Sequence, residues 1–330
     1  MARLLSWPED IYTIHFHIST HVAPLKIGVK TKNNFFFIRD WIDHHIRIID
    51  PRCIFIADNH TTDPLVLDYY ASLPDEICIF RFSGLHNDIH DRAMYPELHS
   101  ALLLSTSYFQ ILDADERLVW LKPDGYLSDA SLVKALMDLQ PQEAAFGVWI
   151  ANIGGQREWF IINPKSVLLS GIQWGKSLFS SQRMMPIGQR LHNCQLPETV
   201  RSTFTYPPHI CVLHLKNLSK EERLQSEREK LIARKAILPD ASLAEIAQSP
   251  LLEGALPGSV YYLEQLKRLV SGELGYEYSE EAKRHAIHFR PDGTLLFSSE
   301  ETRQLYRELF DQPQSLARTA FSEQPNLQPR

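Results

Sequence analysis

Cysteine is scarce and unpatterned in this chain. Cys53, Cys78, Cys194 and Cys211 lie far apart and form no Cys-x-x-Cys pair. They read as reduced, mostly buried thiols of a cytoplasmic protein, two of them inside expected strands. No run of eighteen or more apolar residues is present, so no transmembrane helix is expected. The opening residues Met1 to Asp10 hold too short an apolar stretch for a secretory signal. Positive charge is not in surplus: 34 Lys and Arg face 40 Asp and Glu, for a net charge of −6. That balance gives no electrostatic footprint for nucleic acid. No internal repeat is found. The 330 residues suffice to bury a full core, as one large domain or as a domain with an appendage.

What the chain does have is Asp113-Ala114-Asp115-Glu116. It closes the apolar run Tyr108 to Leu112, which reads as a buried strand bounded by turn-forming acids. Two carboxylates one residue apart at such a strand end suit Mg²⁺ or Mn²⁺. Hard cations take oxygen ligands, and Mg²⁺ combines one or two carboxylates with waters and substrate phosphates. Ligands of open α/β sheets bind at the carboxyl ends of strands. The plain alternative is an acidic turn after a strand.

Upstream, strand and helix alternate. Leu25 to Lys30 reads as a strand, followed by Thr31-Lys32-Asn33-Asn34 and an amphipathic stretch from Phe35 to Arg47. Cys53 to Ala57 is a second strand, ending in Asp58-Asn59-His60-Thr61-Thr62-Asp63, and Pro64 opens a helix. Glu76 to Phe82 is a third strand, and Ala93 to Leu104 a helix with Pro96 in its first turn. This order predicts an α/β fold with a mostly parallel sheet flanked by helices. Ile14, Phe16 and Ile18 alternate with His15 and His17, so Ile11 to Ile18 reads as a half-buried strand with a polar face rather than a histidine metal site.

The order Lys32-Asn33-Asn34, Trp41…His44-His45, Asp58 to Asp63, Ile111 to Glu116 resembles the family 2-like glycosyltransferases with a GT-A fold. Lys176-Ser177-Leu178-Phe179 and His214-Leu215-Lys216 followed by Ser219 to Glu222 are similar to this group as well. The likeness spans about Lys26 to Glu222. Asn34 stands where the family usually has Glu, and Thr61 where it usually has Ser. The resemblance implies a GT-A-like catalytic domain over residues 22–218 that binds a nucleotide-sugar donor. It implies sugar transfer, with inversion at the anomeric carbon, to a saccharide or other hydroxyl acceptor, with Mn²⁺ or Mg²⁺ as cofactor.

Under that resemblance Asp113 and Asp115 hold the metal and Asp113 also meets the donor. Asp58 and Asn59 become donor-binding, with the Asp58 carboxylate accepting from a base imide. Asp63 is the weaker candidate, since it can cap the next helix. Arg92, whose guanidinium forks onto oxygens, is a donor contact or a solvated helix-start arginine. His214, on an apolar strand, is a third metal ligand or a structural histidine, with His192 its rival. Lys216 would add positive charge beside the leaving group. Gly154-Gly155 with Glu158 and Trp159 is either a glycine turn or an acceptor loop in which Glu158 is the base and Trp159 a sugar-stacking face. Gly171 and Gly175 around Trp174 carry the same two readings.

Beyond Ser219 the pattern changes. Ser219 to Lys235 is a charged helix with a capping box at Ser219 and Glu222. Ser259 to Val270 is a helix, His288 to Phe297 two short strands around a Pro-Asp-Gly turn, and Glu300 to Phe310 a helix. Residues 219–330 thus read as a mostly helical C-terminal extension with a frayed end. Two other classes compete with a glycosyltransferase. A sugar nucleotidyltransferase would use the same acids, but Lys30 to Asn34 lacks the glycine of a phosphate loop. A non-catalytic sugar- or nucleotide-binding module would account for Asn34.

Overall fold

The computed structural model describes residues 3–138, 145–161, 175–181, 209–216, 219–256, 258–272 and 285–311. Its first elements are a short strand, Leu4–Ser6 (β1), and a helix, Ile11–Thr20 (α1). The helix corrects the expectation of a strand there. Ile14 and Ile18, four residues apart, stack on one helical face and are both buried, whereas Phe16 is 68% exposed. An alternating strand would have put Phe16 on their side.

The alternation that follows matches the sequence pattern. Ala23–Thr31 (β2), Phe35–His45 (α2), Ile54–Asp58 (β3), Pro64–Ser72 (α3), Cys78–Arg81 (β4), Pro96–Ser105 (α4) and Thr106–Asp113 (β5) come in turn. The helix expected from Ala93 begins at Pro96, where the missing N–H is no loss. Strands β1, β4, β3, β2 and β5 lie side by side in that order, all parallel.

Two cores cover the two faces of this sheet. On one face Leu25, Ile27, Val29, Ile54 and Ile56 pack against Phe37, Ile38 and Trp41 of α2 and Val66 of α3. On the other, Phe55, Phe80, Phe109 and Ile111 meet Ile14 and Ile18 of α1 and Leu98 and Leu102 of α4. Each such fully buried large side chain contributes roughly 1.5–3 kcal/mol. Gly28 sits on the second face, where an added Cβ would lie 2.1 Å from the Phe55 ring. Its bareness lets Phe55 fill the layer.

The second half of the sheet is mostly antiparallel. Glu116–Lys122 (β6) and Gly125–Leu127 (β7) form a hairpin, followed by Ala130–Met137 (α5). Ala145–Asn152 (β8), Trp159–Ile161 (β9), Gly175–Ser180 (β10) and Ile210–His214 (β11) complete it. From β5 outward the order is β10, β8, β11, β6, β7, and only β8 and β11 run parallel.

The chain continues through Lys220–Ala233 (α6), Leu243–Gln248 (α7) and Ser259–Val270 (α8), which share a small core of Leu231, Ile237, Ile246, Leu263 and Leu266. Ala286–Phe289 (β12) pairs with Leu295–Phe297 (β13) and with β9, so this hairpin extends the sheet. In Glu300–Asp311 (α9), Tyr306 is buried and its hydroxyl donates to the carbonyls of Lys122 and Gly125 at 2.6 and 2.8 Å. Cys53, Cys78 and Cys211 are buried free thiols; Cys194 lies outside the described residues. Among the described residues no helix is long and apolar enough to cross a membrane.

Candidate functional site

Strands β2 and β5 end together, with Lys30 the register partner of Asp113. Lys30 Nζ lies 2.8 Å from Asp113 Oδ1, and Lys176 Nζ of β10 lies 2.5 Å from Asp113 Oδ2. Both lysine side chains are essentially buried, while the carboxylate is 26% exposed. Burial alone would raise the Asp113 pKa. The ammoniums of Lys176 and then Lys30 outweigh it and hold the carboxyl well below its usual range. Burial depresses Lys30, but for Lys176 the attraction of Asp113 and Glu116 outweighs burial and raises its pKa. Lys30 also donates to Asn87 Oδ1 at 2.5 Å, and the His86 imidazole stands 3.7 Å from Asp113.

The turn that carries the acids is fixed from every side. Glu116, fully buried, accepts the Asp113 N–H at 2.8 Å and the Trp149 indole N–H at 2.7 Å. Lys176 is 3.3 Å from the same carboxylate, whose pKa burial pushes up. The buried Arg117 guanidinium donates to the carbonyls of Ala114, Glu116 and Phe37, which ties the turn to the first turn of α2. The Leu215 N–H donates to the Asp115 carbonyl at 2.8 Å and brings the end of β11 alongside. His214 Nε2 then lies 3.5 Å from Asp115 Oδ2, and its ring packs on Trp149 at 4.5 Å between centroids. His214 Nδ1 is buried with no hydrogen-bond partner among the described residues. Burial favours protonation of Asp115, but His214 outweighs it and lowers the pKa.

The loops around this edge are cross-linked. Asn33 has φ of +48°, and its side-chain oxygen accepts from the N–H groups of Thr62 and Asp63 at 2.8 and 2.9 Å. Thr61 Oγ1 accepts the Asn33 N–H at 3.0 Å. Asn34 caps α2 by accepting from Phe37 N–H at 3.4 Å, which gives this residue a structural task. Asp63 caps α3 through Leu65 N–H. His45 of the Trp-x3-His pattern is fully buried against Trp41 and accepts from Leu118 N–H at 3.3 Å.

The structure brings Asp113, Asp115 and His214 to one edge and leaves other expected residues apart from them. Asp58 is fully buried, with Thr61 N–H at 3.0 Å, Tyr70 hydroxyl at 3.2 Å and Arg81 Nε at 3.3 Å. Asn59 is buried as well and donates to the Gly84 carbonyl. Arg92 is half-buried before α4 and makes no hydrogen bond or ion pair to the acidic turn. Lys216 is exposed just beyond His214. Glu158 is 61% exposed and pairs with His288 at 2.9 Å, while Trp159 stacks on that imidazole at 4.7 Å. His192, Gly171 and Trp174 lie outside the described residues. Among the described residues no group of three or more His, Cys, Asp or Glu is arranged to hold a metal ion. The residues that sequence reasoning missed are Lys30, Lys176, His86 and Arg117. Lys176 stood in a recognised motif without a role, and Lys30 abutted one.

No protein-family model and no curated protein matches the chain. Solved structures do. One comprising residues 1–349 of S. aureus TarS has a TM-score of 0.29 at 11% identity, over 75% of this chain and 70% of that one. The chain spans 47% of a longer TarS structure. The mannosyltransferase PcManGT from Pyrobaculum calidifontis, in complex with GDP-Man and Mn²⁺, has a TM-score of 0.30 at 13% identity, over 81% of each chain. TarS 1–349 in complex with UDP-GlcNAc gives 0.25 and 10%, over 91% and 89%. Likeness at this level carries no argument about substrate, metal or activity.

Proposed function

We propose that this protein is a glycosyltransferase that moves a sugar from a nucleotide-sugar donor to a saccharide or other hydroxyl acceptor. The observation that carries this reading is the meeting of Asp113, Asp115 and His214 with two buried lysines at the carboxyl end of β5. Open α/β sheets bind ligands at such an edge. In the transfer the acceptor oxygen bonds to the anomeric carbon, whose bond to the diphosphate oxygen breaks. The electron pair leaves with the nucleoside diphosphate, and the hydroxyl proton passes to a base. Attack opposite the leaving group inverts the carbon.

The donor set fits a hard divalent cation in part. Asp115 offers carboxylate oxygen and His214 an imidazole nitrogen, 3.5 Å apart and both partly exposed. Both oxygens of Asp113 are already held by ammonium groups. Asp115 and His214 would therefore hold Mn²⁺ or Mg²⁺, with waters and donor phosphates as the remaining ligands, and Asp113 would contribute less to the metal than to the lysines. When bound, the ion would neutralise charge on the leaving diphosphate. Lys216, just past His214, would face the same phosphates, and Arg92, Asp58 and Asn59 would shape the donor side. Glu158 is the candidate base. It follows the Gly154-Gly155 turn just beyond the end of β8, whose Trp149 touches both Glu116 and His214.

We divide the chain into a catalytic domain over 22–218 and an extension over 219–330. The separate core of α6 to α8 supports that division, whereas the β12–β13 hairpin and Tyr306 of α9 join the main sheet and core. The free buried thiols support a cytoplasmic setting. The test is calorimetry with a panel of nucleoside diphosphates and their sugars, with and without Mn²⁺. Wild type should bind at least one of them, more tightly with Mn²⁺, and Asp115→Asn should lose the metal effect. If no nucleotide binds, the reading fails.

A further inference from the structure

We propose that Lys176 is the cation that meets the donor's diphosphate and takes up the charge of the leaving group. This rests on the donor reading above and goes beyond it, because it assigns that charge to the protein itself. An ammonium has three protons to donate. The described residues take up two at Lys176, with Asp113 Oδ2 at 2.5 Å and Glu116 Oε2 at 3.3 Å. The Glu116 carboxylate is meanwhile engaged by two N–H donors of its own. Lys30 sits on the other oxygen of Asp113. Two buried ammoniums thus share the carboxylates of Asp113 and Glu116, of which only Asp113 is partly exposed, and Lys176 keeps a proton for a further acceptor on that open side.

A second observation points to a ligand at the same place. His90 is 4% exposed and its Nε2 has no hydrogen-bond partner among the described residues. His90 lies within electrostatic reach of both Lys30 and Lys176. Buried polar groups ordinarily find partners, so an orphaned imidazole within reach of two buried ammoniums marks where an anion's oxygens belong. His86, 36% exposed against Asp113, stands where such an anion would enter. A phosphate oxygen arriving beside Asp113 gives Lys176 a further acceptor, in a charge-assisted bond that strengthens as the sugar–phosphate bond breaks.

The experiment compares UDP, GDP, ADP and CDP with their nucleosides, by calorimetry on the full chain in EDTA and in Mn²⁺. The diphosphate that wild type binds most tightly is then used. Lys176→Met should weaken it by about tenfold or more in both conditions and leave the nucleoside unchanged. Lys176→Arg should restore part of the loss. Asp113→Asn, measured in EDTA, should bind the diphosphate more tightly than wild type, because the ammoniums lose a competing carboxylate. Equal loss of nucleoside and diphosphate in Lys176→Met would make the lysine structural and overturn the inference. Should Lys176→Met fail to fold, weaker or unchanged binding in Asp113→Asn overturns it alone. If wild type binds no diphosphate, the donor reading itself falls, and this inference with it.

Discussion

Asp58 ends β3 and Asp113 ends β5, on either side of β2 in the same parallel sheet, yet their surroundings give them different work. Asp113 is a quarter exposed and shared by two lysines, while Asp58 is sealed among Thr61, Tyr70 and Arg81. Removing the Asp58 carboxylate takes an acceptor from the Tyr70 hydroxyl, the Arg81 guanidinium and the Thr61 N–H in a buried place. Asp58→Ala should therefore cost about 3 kcal/mol of stability, the lower end for a broken buried pair because Arg81 is partly exposed. Urea unfolding measures it; an unchanged midpoint would show that the carboxylate does not hold the Tyr70 and Arg81 side chains in place. The sequence made the carboxylates readable because they sit at strand ends in fixed spacing. It could not reveal which were already satisfied. The partners of Asp113 are Lys30 and Lys176, from distant stretches of chain, and only sheet register brings them together.

At the scale of elements, local signals were legible where one residue closed a specific bond. Pro64 opens α3, and Ser219 with Glu222 makes the expected reciprocal cap on α6. The failure at α1 has the same physical root. Alternation and helical spacing overlap in a stretch as short as Ile14 to Ile18, and packing against α4 decides between them. The capping box gives a local prediction. Ser219→Ala removes the acceptor of Glu222 N–H and should destabilise the start of α6 by about 1 kcal/mol. Hydrogen exchange of the Glu222 and Arg223 amides, which bond to Ser219, should then speed roughly fivefold, since about 1.4 kcal/mol is a factor of ten. Unchanged exchange there would mean that tertiary packing, not the cap, holds the helix end.

Across the whole molecule, the sheet gathers strands from both ends of the described chain, β1 at one edge and the β12–β13 hairpin through β9. No local pattern predicts such pairing. A shared core also makes stability respond as one quantity to groups buried in different places. His45 and His99 are at most 1% exposed and His90 is 4% exposed. Burial pushes His99 down to about 4, with the Ile89 carbonyl opposing and Arg92 reinforcing the shift, and Asp91 nearby pulling it back up. Burial also drives His45 and His90 well below their ordinary value. In the unfolded chain each would titrate near about 6.5. Between there and about pH 4 the unfolded state binds protons that the native state refuses, so stability is full above that range and falls as pH drops through it. Each such histidine contributes a slope of up to about 1.4 kcal/mol per pH unit. Urea midpoints measured from pH 7.5 to 4.5 should therefore be level at first and then decline. His99→Gln should flatten the decline by about one proton's worth. A slope as steep in His99→Gln as in wild type would show that His99 accepts its proton in the folded state and that burial does not hold it neutral.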